Sequence, residues 1–224
     1  RIAAETGGLY MDQFTFAERA TDWRGNNNIA ESIFGQMEAE PHSIPAWVVM
    51  SAGTGGTSAT IGRYIRYRRF DTKLLVADPE GSAFLEGWQT NSTTVTTKQR
   101  PRIEGIGRPR VEPSFVCGVV DDMVRVPDAA SIATMRWVSK RLGRPVGPST
   151  GTNMWAVLNL AKQMASNKER GSIVSLICDG GDRYQHSYFN DQWVKDAGFD
   201  LEPWLACLAA FDETGEFTPP ADRE

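Results

Sequence analysis

Residues Ala46 to Ala52 (Ala-Trp-Val-Val-Met-Ser-Ala) form an apolar run interrupted only by Ser51, with Pro45 before it and Gly53-Thr54-Gly55-Gly56 directly after. A half-exposed strand alternates apolar and polar residues. A continuous run of this length bounded by turn residues predicts a strand buried on both faces, which is the condition of a parallel sheet covered by helices. Thr57 to Arg69 reads as the helix that follows, and Lys73 to Ala77 as the next short strand. The three segments make a strand-helix-strand unit with the usual right-handed crossover. The fold class is therefore α/β, and 224 residues at 41% hydrophobic content suffice to bury a core.

The rest of the chain extends this pattern. Ile29, Ile33 and Met37 recur at helical spacing, and Pro41 and Pro45 lie beyond the end of that helix. Asp78 to Val111 is rich in Gly, Thr, Asn and Arg and reads as loops around a site. Met123 to Val126 predicts a strand. Asp128 is placed as the N-cap of a helix whose apolar positions are Ile132, Met135, Val138 and Leu142, stopped by Gly143. Pro145 to Thr152 reads as a tight loop leading into a helix through Met164, followed by a strand from Ser172 to Cys178 and a turn at Asp179-Gly180-Gly181-Asp182. No repeat is visible, and the final stretch with Pro219-Pro220 reads as a disordered tail.

Several function classes are disfavoured. Apolar stretches fall far short of the roughly 20 residues needed to span a bilayer, so no membrane partner is expected. A net charge of −4 with scattered Lys and Arg gives no basic stripe, so nucleic acid is not expected either; Arg63, Arg66, Arg68 and Arg69 are read as a solvated helix face. Two histidines, His42 and His186, without paired metal-ligand spacing predict no metal. Cys117, Cys178 and Cys207 are odd in number and widely spaced, which points to a reducing compartment and a cytoplasmic protein. Arg1 to Thr6 reads as the middle of a helix without a cap, from which residues preceding Arg1 are expected.

The sharpest chemical feature is Ser51-Ala52-Gly53-Thr54-Gly55-Gly56-Thr57 between buried strand and helix. Glycines permit positive φ and close approach, threonines add hydroxyl donors, and the helix N-terminus favours an anion such as phosphate. The loop lacks the Gly-Lys-Ser/Thr ending of a nucleotide-binding loop, and Ser58 stands where a dinucleotide fingerprint requires its third glycine. By itself the pattern leaves open a glycine-rich turn without a ligand.

Five stations along the chain, Gln13-Phe14, Gly53 to Thr57, Ile103-Glu104-Gly105-Ile106-Gly107, Pro148-Ser149-Thr150-Gly151 and Asp179-Gly180-Gly181-Asp182-Arg183-Tyr184, occur in a characteristic order. In this order and spacing the sequence resembles the fold type II pyridoxal-phosphate enzymes, which include cysteine synthase and cystathionine β-synthase. With Asp22-Trp23-Arg24-Gly25-Asn26-Asn27-Asn28 it is most similar to mycobacterial-type L-cysteine desulfhydrases. The resemblance implies a tryptophan synthase β-like architecture without its N-terminal part. Residues 1–40 would be the remnant of a smaller N-terminal domain and crossover, 41–215 the large cofactor-binding domain and 216–224 a disordered tail. It implies pyridoxal 5'-phosphate as cofactor, an amino-acid substrate and a homodimer. By the same resemblance, Gly53, Thr54, Gly55, Gly56 and Thr57 hold the cofactor phosphate and Ser149 meets the pyridine nitrogen. Gln13, Gly105, Ile106 and Gly107 face the substrate. The residues also admit plainer readings: Gln13 as a surface residue beside a core Phe14, the glycines as turns, Ser149 as an ordinary residue of a helix start.

The sequence departs from the family pattern in places. Thr15-Phe16-Ala17-Glu18 follows Gln-Phe where relatives have Asn-Pro-Ala-Asn, and Pro148 and Thr150 replace the usual residues around Ser149. The lysine that carries the cofactor and the Ser/Thr-rich loop that binds the substrate carboxylate lie, in relatives, in a segment without counterpart here. Lys73, Lys98, Lys140, Lys162, Lys168 and Lys195 stand in other contexts. The implied reaction is β-elimination of L-cysteine to hydrogen sulfide, pyruvate and ammonia. The alternatives are β-replacement, a non-catalytic protein that keeps the phosphate cradle without the lysine, and a generic phosphate-binding domain.

Overall fold

A computed structural model describes residues 1–25 and 27–220; Asn26, within the Asp22 to Asn28 motif, and residues 221–224 lie outside it. Helices α1 (Ile2–Thr6), α2 (Gln13–Phe16) and α3 (Ile29–Met37) come first, then strand β1 (Trp47–Ser51), helix α4 (Gly56–Arg68) and strand β2 (Lys73–Pro79). Helix α5 (Phe84–Thr90), strand β3 (Asp122–Val126), α6 (Asp128–Leu142), α7 (Pro148–Ser166), strand β4 (Ile173–Ser175), α8 (Asp191–Asp196) and α9 (Glu202–Thr214) complete the order.

The strands form one parallel four-stranded sheet in the order β3-β2-β1-β4. Val49 lies beside Leu75 on one side and Ser175 on the other, so β1 is central. Alternate residues of β1 feed opposite faces. Val49 joins Leu75 and Ala77 in a core closed by Ile132 and Met135 of α6, Trp155 of α7 and Leu208 of α9. Val48 and Met50 join Leu74 and Val76 in a second core closed by Phe34 of α3, Ile61 and Ile65 of α4, and Phe84 of α5. Both faces of β1 are therefore buried, the condition its unbroken apolar run anticipates. The expected α/β class with a parallel sheet and flanking helices is what the chain adopts.

Five details differ from the sequence reading. Residues 148–152, expected as the end of a tight loop, already form the first turns of α7. Residues 84–90, expected as loop, form α5, held because Phe84 is fully buried and stacks on Phe115 with centroids 4.4 Å apart. Asp128 is not an N-cap: Pro127 holds that position, and the Asp128 carboxylate instead accepts from Arg102 Nε at 3.3 Å. The last strand is shorter, ending at Ser175, after which the chain leaves the sheet edge. The tail expected from residue 216 is anchored at its start: Phe217 is buried, edge-on to Trp155 at 5.0 Å and to Phe211 at 5.8 Å.

Candidate functional site

In an open parallel sheet, crevices form outside the carboxyl ends of strands where the chain order reverses direction. Here β1 has β2 on one side and β4 on the other, and the segments leaving β1 and β4 face one cavity of about 1210 Å³. Gly53 to Thr57 leave β1, and Leu176 to Asp179 leave β4; both line the cavity, as do Gln13, Gly105, Ile106, Arg108 and Ser149.

The glycine loop is shaped to present backbone to a ligand. Gly55, the N-cap of α4, has φ +95, and a β-carbon there would sit 2.5 Å from the Phe115 Cα. Only glycine satisfies both conditions. No side chain caps α4, and the Ser58 hydroxyl donates instead to the Gly55 carbonyl at 3.0 Å. The first N–H groups of a 13-residue helix thus remain available, at its positive end, on the cavity wall. The loop is clamped from outside: Ser114 Oγ donates to the Thr54 carbonyl, and Ser114 N donates to the Phe14 carbonyl at 3.2 Å. Ser51, at the base of the loop, has a buried hydroxyl oxygen with no partner among the described residues.

The start of α7 lines the same cavity. Ser149, 5% exposed, follows Pro148 at the first helical turn and lines the cavity. Cys178 N donates to Thr150 Oγ1 at 3.1 Å, and Asn153 Nδ2 donates to the Leu176 carbonyl at 3.2 Å, which fixes the segment after β4 to α7. Cys178 is exposed on the wall, and desolvation by its surroundings raises its thiol above its ordinary pKa, so it stays neutral. Asp179 packs its carboxylate against Gly147; one oxygen accepts from Tyr184 Oη at 2.8 Å and the other is buried without a partner among the described residues. Burial and then the Asp179 carboxylate push the Tyr184 phenol up, so it stays a donor.

The positions singled out from sequence divide as follows. Gly53, Thr54, Gly55, Gly56, Thr57, Ser149, Gln13, Gly105 and Ile106 share the one cavity. Gly107 lies behind the wall, its N–H donating to the Ala52 carbonyl at 2.9 Å, and fixes the segment without lining the cavity. Phe14 is not core: it is 38% exposed, with the Arg108 guanidinium 5.2 Å from its ring centroid. Arg63, read as part of a solvated face, donates to Glu18 Oε2 at 2.6 Å and to the Glu18 carbonyl at 2.8 Å. Burial raises the Glu18 carboxyl, but the bonds from Arg63 and Arg19 outweigh it and the pKa falls. Sequence reasoning passed over Arg108, whose only signal was an arginine directly after the Gly105 to Gly107 segment. Among the described residues, none of those lining the cavity is a lysine.

This geometry fits an elongated anionic ligand: a helix N-terminus and glycine cradle for a phosphate, and a neutral hydroxyl across the cavity for a ring heteroatom. The model of the family described as pyridoxal-phosphate dependent enzyme matches residues 1–179. The chain is 58% identical over 218 residues to the L-cysteine desulfhydrase of Mycobacterium tuberculosis, covering 97% of this chain and 59% of that protein. It is 32% identical to cysteine synthase 2 of Emericella nidulans, over 84% of this chain and 44% of that one. It is 29% identical to the cystathionine beta-synthase of Rattus norvegicus, over 80% of this chain and 31% of that one. The chain thus spans 59% or less of the length of these relatives.

Proposed function

The chain belongs to the pyridoxal-phosphate dependent enzyme family, and on that premise we propose that it forms the cofactor-binding part of an L-cysteine desulfhydrase, which converts L-cysteine to hydrogen sulfide, pyruvate and ammonia. The observation that carries the proposal is the convergence of the Gly53 to Thr57 loop and Ser149 on one cavity. A generic phosphate site would need the first and leave the second without a task.

Pyridoxal phosphate, when bound, supplies an electron sink that eases loss of the Cα proton and cleavage of the Cβ–S bond. The N–H groups of Gly53 to Thr57 hold its phosphate with the help of the α4 dipole. Ser149 offers a hydroxyl to the pyridine nitrogen. A neutral partner does not enforce a pyridinium, which suits β-elimination and β-replacement better than transamination. Gln13 holds the substrate carboxylate side, and Gly105 and Ile106 form the wall beside the substrate, with Gly107 bracing them. By resemblance to the family the base for the Cα proton is the cofactor-bearing lysine, and none of the described residues lining the cavity is a lysine. The division into residues 1–40 with an N-terminal domain and crossover, and 41 onward as the large domain, is part of the same proposal. So is a homodimer in the cytoplasm, in keeping with free Cys117, Cys178 and Cys207.

The test is the absorbance of the natively purified full-length protein, followed by addition of L-cysteine with sulfide and pyruvate measured together. A cofactor band with equal sulfide and pyruvate supports elimination. Sulfide without pyruvate would transfer the site to β-replacement, the activity named for the cysteine synthase relative. No cofactor band would leave a non-catalytic binding protein.

A further inference from the structure

One hydroxyl at the carboxyl end of β1 is left unsatisfied among the described residues. Ser51, the last residue of the strand, is 7% exposed and lines the cavity, yet its Oγ has no hydrogen-bond partner there. Neighbouring buried hydroxyls are spent on the protein itself. Ser58 Oγ donates to the Gly55 carbonyl at 3.0 Å, Thr60 Oγ1 to the Gly56 carbonyl at 2.9 Å, and Ser114 Oγ to the Thr54 carbonyl. A hydroxyl taken out of water without a partner costs free energy that an acceptor on a ligand recovers.

The strand fixes which end of the cavity this hydroxyl serves. Side chains alternate across a sheet, so Ser51 points to the same face as Val49 and as Ala77, its register partner on β2. Val49 and Ala77 belong to the core that α6, α7 and α9 close, whereas α4 packs on the other face against Val48 and Met50. Ser51 therefore stands on the side of α7, whose first turn carries Ser149, and not on the side of the α4 N-terminus that cradles phosphate. Its main chain is held by the pairing of β1 with β2, and the carbonyl of the next residue, Ala52, accepts from Gly107 N at 2.9 Å. Rotation about the Cα–Cβ bond remains free to turn the hydroxyl toward an acceptor in the cavity.

Resting on the proposed cofactor site, we propose that Ser51 is a further cofactor-binding residue, whose hydroxyl donates to an acceptor on the aromatic ring and not to the phosphate. With Ser149 it gives the ring end two neutral hydroxyls, one from a strand and one from a helix.

The test uses full-length protein stripped of cofactor, as wild type, Ser51→Ala and Ser175→Ala. Ser175, beside Val49 on β4, is the control, because its hydroxyl donates to the Val49 carbonyl at 2.9 Å. Dissociation constants are measured for pyridoxal phosphate, for pyridoxal, which keeps the ring without the phosphate, and for inorganic phosphate. The thermal midpoint of each stripped protein is measured beside them. Ser51→Ala should weaken pyridoxal phosphate and pyridoxal alike, about 3- to 10-fold for one neutral hydrogen bond, and leave inorganic phosphate unchanged. Its stripped form should melt no lower than wild type, since the hydroxyl removed had no partner to lose. Ser175→Ala should melt lower with all three affinities unchanged. Weaker inorganic phosphate with unchanged pyridoxal overturns the assignment and moves the hydroxyl to the phosphate. Unchanged affinity for all three overturns it as well, and a lower midpoint alongside would mean a partner within the protein. A wild-type protein that binds no pyridoxal phosphate refutes the proposed function itself, a result distinct from loss of the Ser51 contact alone.

Discussion

The Cα of Gly53 faces the main chain of Gly105 so closely that a β-carbon on residue 53 would lie 2.5 Å from the Gly105 carbonyl oxygen. The glycine loop before α4 and the Gly105 segment are thus in backbone contact, although more than fifty residues of chain separate them. Gly53→Ala forces one of the two segments to move, since the obstacle is backbone and not a flexible side chain. Overpacking of this kind costs about 1–3 kcal/mol, and cofactor affinity is expected to fall by about 10-fold or more. Gly105→Ala has no neighbour within 4 Å to strike, but its φ of +86 opposes a side chain. It should lower thermal stability by about 1 kcal/mol and leave cofactor affinity near wild type. Equilibrium cofactor titration and thermal melting of both variants check the contrast, which equal affinities would contradict.

Ser149→Ala removes one hydroxyl from a buried helix start and leaves the α4 cradle untouched. The cofactor should still bind, weakened about 3- to 10-fold by loss of a single neutral hydrogen bond, while turnover of L-cysteine falls further. Titration of cofactor into the stripped protein, beside steady-state rates, measures both. Full loss of binding would mean that Ser149 carries more than a ring contact.

Asp128 gives stability a pH dependence of unusual sign. Burial first, and the Glu80 charge second, raise its pKa to about 6 against the pull of Arg102. A carboxyl whose folded pKa exceeds its unfolded value of 3.8 holds its proton more tightly when folded. Its contribution therefore favours folding most below the unfolded value, and is lost as pH rises through about 6. The loss is on the order of 1–3 kcal/mol. Denaturant unfolding between pH 4 and 7 should show this slope in wild type and a flatter one in Asp128→Asn; parallel curves would refute it. Glu80→Gln should shift the slope to lower pH.

Phe217→Ala should lower unfolding free energy by about 3 kcal/mol, because Phe217 is 6% exposed and packs on Trp155 and Phe211. Urea midpoints measure it. A change within about 0.5 kcal/mol, as for a surface site, would restore the reading of a loose tail from residue 216.

Much of the scaffold was legible because its signals are local. The apolar run before Gly53 announced a strand covered on both faces, and α3 and α6 followed from apolar spacing that a helix repeats every turn. Helix α5 was missed because Phe84, its core anchor, stands within a polar segment and finds Phe115 only in the folded chain. Asp128 looked like a cap because aspartate before a helical pattern usually is one; its carboxylate turned instead to Arg102, 26 residues away.

By itself the sequence determined the α/β class, the glycine cradle at a helix N-terminus and the family pattern, since each depends on residues adjacent or at short fixed spacing. The tertiary structure alone decided that the cradle, Gln13, Gly105, Ile106 and Ser149 share one cavity, that Gly107 stands behind its wall, and that Glu18 neutralises Arg63. The physical reason is that periodicity records which side of an element avoids water, whereas the partner of a charge is set by where distant strands and loops bring their ends together.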